Sequence, residues 1–220
     1  AESSQFRVLV LAGKNRFFSA GADLEWMQIA KNQSTEQNIE EAALFNKLYS
    51  TIYNYPKPVI ARVEGGAYGG AIGLMACADV VLTTPGANFA FSETELGLVP
   101  ATVAPWVIKK TGPAFARAAF LTGITFNGDD AIKNGLAQYL FPPDKIQPGT
   151  RELAAKIARK SPKAIKETKI LLNRIDNQIV SIDEDLMHYC STKIAEARAS
   201  DEGQEGVSAF FEKRKPAWNK

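Results

Sequence analysis

Two short glycine-bearing turns and one carboxylate are the residues of this chain whose types and spacing suit chemistry. The turns are Ser19-Ala-Gly-Ala-Asp23 and Gly65-Gly-Ala-Tyr-Gly-Gly70, each lying between a segment that reads as a buried strand and one that reads as a helix. A turn at a helix N-terminus leaves backbone N–H groups without intrahelical acceptors and at the positive end of the helix dipole. It therefore suits an anion, or an oxygen on which negative charge develops. The second turn spells neither GxGxxG nor GxxxxGKS/T, which counts against dinucleotide and P-loop binding. Glu93 closes the segment Phe89-Ala-Phe-Ser-Glu93, and a carboxylate beside an apolar pocket has a raised pKa and can take and return a proton. Taken singly, each feature has a plainer account: tight turns and close helix–sheet packing for the glycines, a surface carboxylate at a strand end for Glu93.

The elements that must position these residues are legible in the hydrophobic pattern. Residues 7–12, a nearly all-apolar run ending at Gly13, read as a strand buried on both faces. Such a strand needs neighbours, so further strands are expected before it. An amphipathic stretch follows Asp23, and a second helix is predicted from about Thr35 to Asn54 with Ile39, Ala43, Leu44 and Leu48 on one face, ended by Pro56 and Pro58. Val59–Val63 reads as a buried strand, 71–78 as a small tightly packed helix and Val80–Leu82 as a strand. Strand, turn, helix, strand is a βαβ unit and implies a parallel sheet. From Pro105 the pattern is mostly helical, with segments at 113–121, 129–134, 150–160, 162–175 and 180–199, and Gly128 to Ala131 and Gly135 as start and stop signals. The last segment, 205–218, joins an apolar cluster to a basic one and is expected to dock on the rest. The division is into a core, 1–140, and a helical C-terminal region, 141–220.

The bulk properties are those of an ordinary globular chain: 45% of its 220 residues are hydrophobic and 23% charged. With 26 basic against 24 acidic residues the net charge is +2, which gives no support to a nucleic-acid partner. Cys77 and Cys190 form no CxxC pair or Cys/His cluster, so neither a disulfide framework nor a metal site is expected. No apolar run reaches the roughly 18 residues of a membrane span, and a cytoplasmic or organellar location is expected. His188, Asp23, Asp79 and Cys77 read as structural.

Three ordered motifs, Phe18-Ser-Ala-Gly-Ala-Asp-Leu24, the run from Gly65 to Asp79, and Phe89-Ala-Phe-Ser-Glu93 followed by Leu96-Gly-Leu-Val-Pro100, resemble the enoyl-CoA hydratase/isomerase, or crotonase, superfamily. Landmarks at Leu121-Thr-Gly123, Ser161-Pro162 with Lys169, and Phe211 to Pro216 extend the resemblance over nearly the whole chain. It implies a spiral of βαβ turns with a helical C-terminal region, assembly as a trimer or hexamer, and an acyl-CoA thioester as substrate with no separate cofactor. It also implies an oxyanion hole from the N–H groups of Ala22 and Gly70, acid–base work by Glu93, and substrate contacts from Ala20, Ala22, Asp23, Leu24 and Gly70. Lys213, with Arg214 and Lys215, is implied as a contact to the nucleotide part of CoA.

Hydratases of the superfamily use two glutamates; aligned on Asp79, the second matches Glu93 and the first falls on Gly73. The segments Gly69-Gly-Ala-Ile-Gly-Leu and Leu96 to Lys109 resemble the methylglutaconyl-CoA and carboxygeranoyl-CoA hydratases of leucine and acyclic-terpene breakdown. A hydratase of a branched or carboxylated 2-enoyl-CoA is thus expected, its water oriented by backbone groups or by Thr102. The alternatives are a Δ3-Δ2-enoyl-CoA isomerase, for which one glutamate suffices, and a crotonase-like binding protein without turnover.

Overall fold

The computed structural model describes residues 6–14, 17–176 and 183–217. In chain order the elements are β1 (Leu9–Ala12), α1 (Leu24–Lys31), α2 (Thr35–Tyr53), β2 (Val59–Val63), β3 (Gly66–Tyr68), α3 (Gly70–Cys77), β4 (Val80–Thr83) and β5 (Asn88–Ala90). A 3-10 turn at Glu93–Leu96 follows, then α4 (Ala104–Thr111), α5 (Pro113–Thr122), β6 (Phe126–Asn127), α6 (Gly128–Lys133) and β7 (Tyr139–Leu140). The chain finishes in α7 (Ile146–Ala158), α8 (Pro162–Asp176), α9 (Glu184–Ala199) and α10 (Asp201–Phe211).

The strands form two sheets. One is parallel in the order β1-β2-β4-β7; the other has the order β3-β5-β6, with β3 and β5 parallel and β5 and β6 antiparallel. Each pass of the chain contributes to both: β2 leads to β3 and then α3, β4 leads to β5, and β1 leads to a bridge between Ser19 and β3 at Ala67. This alternation is a spiral of βαβ turns. The sequence suggested a parallel sheet but gave no sign of the antiparallel β5–β6 pair, whose second strand has only two residues.

Strand β2 is apolar except at Arg62 because both of its faces are covered. Val59, Ala61 and Val63 turn into the main core with Ile72 and Met75 of α3, while Ile60 turns to a second cluster with Leu82 and Ile146 under α7. Strand β1 is more open than its composition suggested: Leu9 and Leu11 pack on the main core but Val10 is 39% exposed, because among the described residues β1 is the edge of its sheet and α7 extends over β2 and β4. The strands expected before it lie outside the described residues.

Helix α2 also differs. Its buried stripe is Asn38, Ala42, Asn46, Tyr49 and Ile52, while Leu44 is 65% and Leu48 45% exposed. Polar satisfaction explains the rotation, since a buried amide is tolerated once it is hydrogen-bonded. Asn46 Nδ2 donates to Met187 O at 2.9 Å and Ser191 Oγ at 2.7 Å across the contact with α9, and Asn38 Nδ2 donates to carbonyls of residues 30, 33 and 34. Helix α6 is capped one residue before its sequence signal, by Asn127, in a reciprocal capping box with Asp130.

Asp79 ties the C-terminal region to the core. Its Oδ2 accepts from Val59 N and from Lys169 Nζ, both at 2.7 Å, and Lys169 is buried. Asp79→Ala removes the ion pair of that ammonium and leaves it in a site with little solvent. The expected loss of stability, read from the urea midpoint, is about 2 kcal/mol, below the range for fully buried pairs because Asp79 itself is partly exposed. No described helix is long and apolar enough to cross a membrane.

Candidate active site

Both glycine-bearing turns open on one cavity of about 530 Å³. The first is anchored where Phe18 N donates to Gly66 O at 3.0 Å and Ser19 bridges to Ala67. Its last residue, Asp23, caps α1 by accepting from Trp26 N at 3.0 Å, the structural role expected of it, while its turn also lines the cavity. Ala20, Ala22 and Leu24 line the cavity with it.

The second turn is held by Gly69, whose N–H donates to Ala90 O at 3.0 Å. Gly69 has φ +51° and ψ −122°, a conformation that side chains resist. It delivers Gly70 to the first position of α3 with its N–H unpaired: among the described residues neither Gly70 N nor Ala22 N meets an acceptor. The first turn of α3 carries no acidic side chain to compete for those donors.

Glu93 reaches the same cavity from another segment. The strand before it is fixed by Phe91, which is buried and meets Phe120 edge-on at 4.6 Å between centroids. The 3-10 turn then directs the Glu93 side chain inward, so that Oε1 lies 3.4 Å from where a Cβ on Gly69 would stand. Oε2 is sealed from solvent without a hydrogen-bond partner. Desolvation pushes the carboxyl pKa above its ordinary value, a backbone N–H offsetting part of the rise. Glu93 is thus an interior group at the start of a turn, not a surface carboxylate. Glu95 is exposed and lies against Gly123 instead.

The other expected residues fall as follows. Thr102 lines the cavity. Cys77 is buried in the core and His188 is exposed on α9, outside the cavity lining. Lys213 is not among the lining residues; it sits exposed just past α10, whose Phe210 does line the cavity. Its neighbour Arg214 is engaged with Glu205 at 2.5 and 2.7 Å and with Glu212 at 2.5 Å, so the tail docks by an internal ion pair. Trp218, part of the expected docking cluster, lies outside the described residues.

Several wall residues gave no sequence signal: Tyr49 of α2, Ile194 and Arg198 of α9, and Gln204, Val207 and Phe210 of α10. Helix α10 was missed because Gly203 and Gly206 lower its helical propensity, yet those glycines let it approach the chain closely. The cap on Ser200, accepting from Gly203 N at 3.1 Å, was the available clue. Arg198 is wedged over Trp26, 4.6 Å from its ring centre, and donates to Asn38 Oδ1 at 3.3 Å with Glu41 Oε2 4.0 Å away. Burial lowers its pKa, though a guanidinium stays charged at any working pH. Among the described residues no three His, Cys, Asp or Glu side chains are placed to hold a metal ion.

The chain as a whole has known relatives. The family model for enoyl-CoA hydratase/isomerase matches residues 1–220. The crotonyl-CoA hydratase of Syntrophomonas wolfei is 31% identical, over 94% of this chain and 78% of that protein. The 2,3-dehydroadipyl-CoA hydratase of Escherichia coli is 32% identical, over 98% and 82%. Among solved structures, an enoyl-CoA hydratase from Mycobacterium avium superposes with a TM-score of 0.84 at 28% identity, covering 97% of this chain and 79% of that one. One from Shewanella pealeana gives 0.77 at 35%, covering 99% and 80%. The spiral is therefore the crotonase fold, a parallel sheet with a helical C-terminal region, and with the whole length matched the chain belongs to the enoyl-CoA hydratase/isomerase family of enzymes.

Proposed function

We propose that this protein is a hydratase that adds water to a 2-enoyl-CoA thioester with a branched or carboxylated acyl group. The observation that carries this is the desolvated Glu93 carboxylate, aimed into the same cavity as the two unpaired N–H groups of Ala22 and Gly70. In this mechanism the thioester oxygen accepts from both N–H groups. Glu93 takes a proton from water as the water oxygen bonds to C3, the double-bond electrons move to the thioester oxygen, and Glu93 returns the proton to C2. Charge on that oxygen peaks in the enolate-like state, so donors aimed at it act where they lower the barrier; each such donor is worth about 3–4 kcal/mol.

Ala20, Asp23 and Leu24 would flank the thioester, and Lys213, just outside the cavity, would meet the phosphates of CoA. For the acyl group, the support is Arg198 together with Lys31, two cations on a largely apolar cavity wall. Glu41 offsets part of the Arg198 charge, and Lys31 adds a second. An acyl carboxylate meets complementary charge there. The 141–220 region is read as the site of trimer or hexamer assembly, supported by the exposed Ile170, Leu171 and Leu172 of α8; the working compartment is read as cytoplasm or organellar matrix.

The test follows the conjugated-thioester absorbance of crotonyl-CoA and 3-methylglutaconyl-CoA, beside a 3-enoyl-CoA. Absorbance is expected to fall on both 2-enoyl substrates, faster on the carboxylated one. Arg198→Leu is expected to raise KM for 3-methylglutaconyl-CoA about tenfold, the size of one charge-assisted hydrogen bond, and to leave that for crotonyl-CoA within about twofold. Because Gly73 supplies no second carboxylate, a Δ3-Δ2-enoyl-CoA isomerase is the second reading; an absorbance gain on the 3-enoyl-CoA alone would establish it. No change on any substrate would leave a crotonase-like binding protein.

A further inference from the structure

Tyr49 is 1% exposed and lines the cavity that holds Glu93. Its phenol donates to Gly70 O at 2.9 Å. Its ring fills the space over Gly73: a Cβ built there would stand 2.8 Å from Cε1, 2.9 Å from Cζ and 2.9 Å from Val103 Cγ1. Side chains do not keep such distances, so the phenol in this position and a carboxylate at position 73 exclude one another. A Cβ on Gly70 would lie 3.0 Å from the phenol oxygen, and one on Gly69 3.4 Å from Glu93 Oε1. Consecutive α-carbons are about 3.8 Å apart, so the phenol and the carboxylate flank a single peptide step.

Burial first, then the neighbouring Cys77 and Glu93, push the Tyr49 pKa far above its ordinary value, so the phenol keeps its proton. That proton is committed to Gly70 O, and what the oxygen can still offer is its lone pairs. A nucleophilic water needs an acceptor for each hydrogen so that its own lone pair is directed at carbon. Glu93 Oε2, without a partner among the described residues, is one such acceptor.

We propose that the Tyr49 phenol oxygen is the second: it accepts a hydrogen bond from the attacking water and so orients it toward C3, in the space where two-glutamate hydratases carry their first glutamate. The proposal rests on the hydratase function above. In the step itself, one water O–H bond breaks and its proton goes to Glu93 while the O–C3 bond forms. The double-bond pair shifts toward C1 and the carbonyl pair to the thioester oxygen. The enolate then takes the proton from Glu93 at C2. Tyr49 neither gains nor loses a proton.

The test is Tyr49→Phe, which keeps the ring against Gly73 and Val103. Hydration of crotonyl-CoA is expected to lose about tenfold in kcat, the worth of one neutral hydrogen bond made in the transition state, with KM within about twofold. Exchange of the C2 hydrogens of butyryl-CoA with D2O uses Glu93 and the thioester-oxygen donors but no nucleophilic water, and is expected to stay within about threefold. Thr102→Val tests the other side chain that could orient the water. Parity of hydration in Tyr49→Phe overturns the proposal, as does an equal loss of hydration and exchange, which would make Tyr49 a support for Gly70 only. If Thr102→Val reproduces the selective loss and Tyr49→Phe does not, the water is oriented by Thr102. A wild-type protein that hydrates no enoyl-CoA overturns the functional assignment and this proposal with it; wild-type hydration with an unimpaired Tyr49→Phe overturns the proposal alone.

Discussion

Glu93→Gln is expected to lower kcat for hydration of crotonyl-CoA by about 10²–10⁴, the span of a lost general acid–base group. Glutamine fills nearly the same volume and presents an amide to the same cavity, so substrate binding is expected to be retained and the loss to fall on kcat. The pH dependence adds a second readout. Desolvation raises the folded-state pKa of Glu93, and hydration needs the ionised base, so the acid limb of the kcat/KM profile is expected above the ordinary glutamate range and is expected to vanish in the variant.

Stability moves in the opposite sense. Between the unfolded pKa and the raised folded one, the native state holds more protons than the unfolded state, so Glu93 favours folding at low pH and loses that effect as pH rises through its folded pKa. Glu93→Gln is therefore expected to melt above wild type at neutral pH, with the difference shrinking as pH falls toward the unfolded carboxyl range. A variant with lower rate and lower melting temperature at every pH would instead mark Glu93 as structural.

Gly206→Val is expected to be nearly as damaging from a position outside the cavity lining. A Cβ at Gly206 would stand 2.1 Å from Leu96 O and 2.3 Å from Leu96 C, and one at Gly97 would stand 2.4 Å from Glu202 O. These are backbone atoms, so no rotamer change relieves the overlap. α10 can rest on the Glu93–Leu96 turn only while the contact is backbone to backbone, and a valine must lift the helix or push the turn. Overpacking of this kind costs about 3 kcal/mol, or about 6–12 °C in Tm for a chain of this size. The turn carries Glu93, the proposed base, and misplacing a reacting group by about 1 Å costs about 10² in rate. Thermal denaturation and crotonyl-CoA kinetics are compared with Gly86→Val, where nothing lies within 4 Å of the added Cβ and no change is expected. A Gly206→Val protein with wild-type Tm and rate would show that α10 does not hold the turn.

Much of this site was readable in the residue order because it is built locally. A strand, a glycine-bearing turn and a helix start are set by neighbours a few positions apart, so the two turns, α3 with its flanking strands and the carboxylate at Glu93 could be placed from pattern. The stripe of α2 could not. Its polarity suggested Leu44 and Leu48 inward, whereas Asn38 and Asn46 are buried because partners supplied by other segments, among them Met187 and Ser191, satisfy their amides. Likewise β1 has the composition of an interior strand, but whether an apolar face is covered depends on which element lies over it, and α7 covers β2 and β4.

What the sequence by itself determined is the chemistry on offer: two backbone turns with spare N–H groups, one glutamate in register with them, and a glycine at position 73. Only the tertiary structure decided that Glu93 loses its solvent, that Tyr49 occupies the space over Gly73, and that α9 and α10 close the cavity wall with Arg198 and Phe210. Local propensity acts over a few residues. Desolvation and steric exclusion instead come from segments far apart in the chain, as Tyr49 and Gly73 are, and as Leu96 and Gly206 are across more than a hundred positions, and no short-range pattern encodes that meeting.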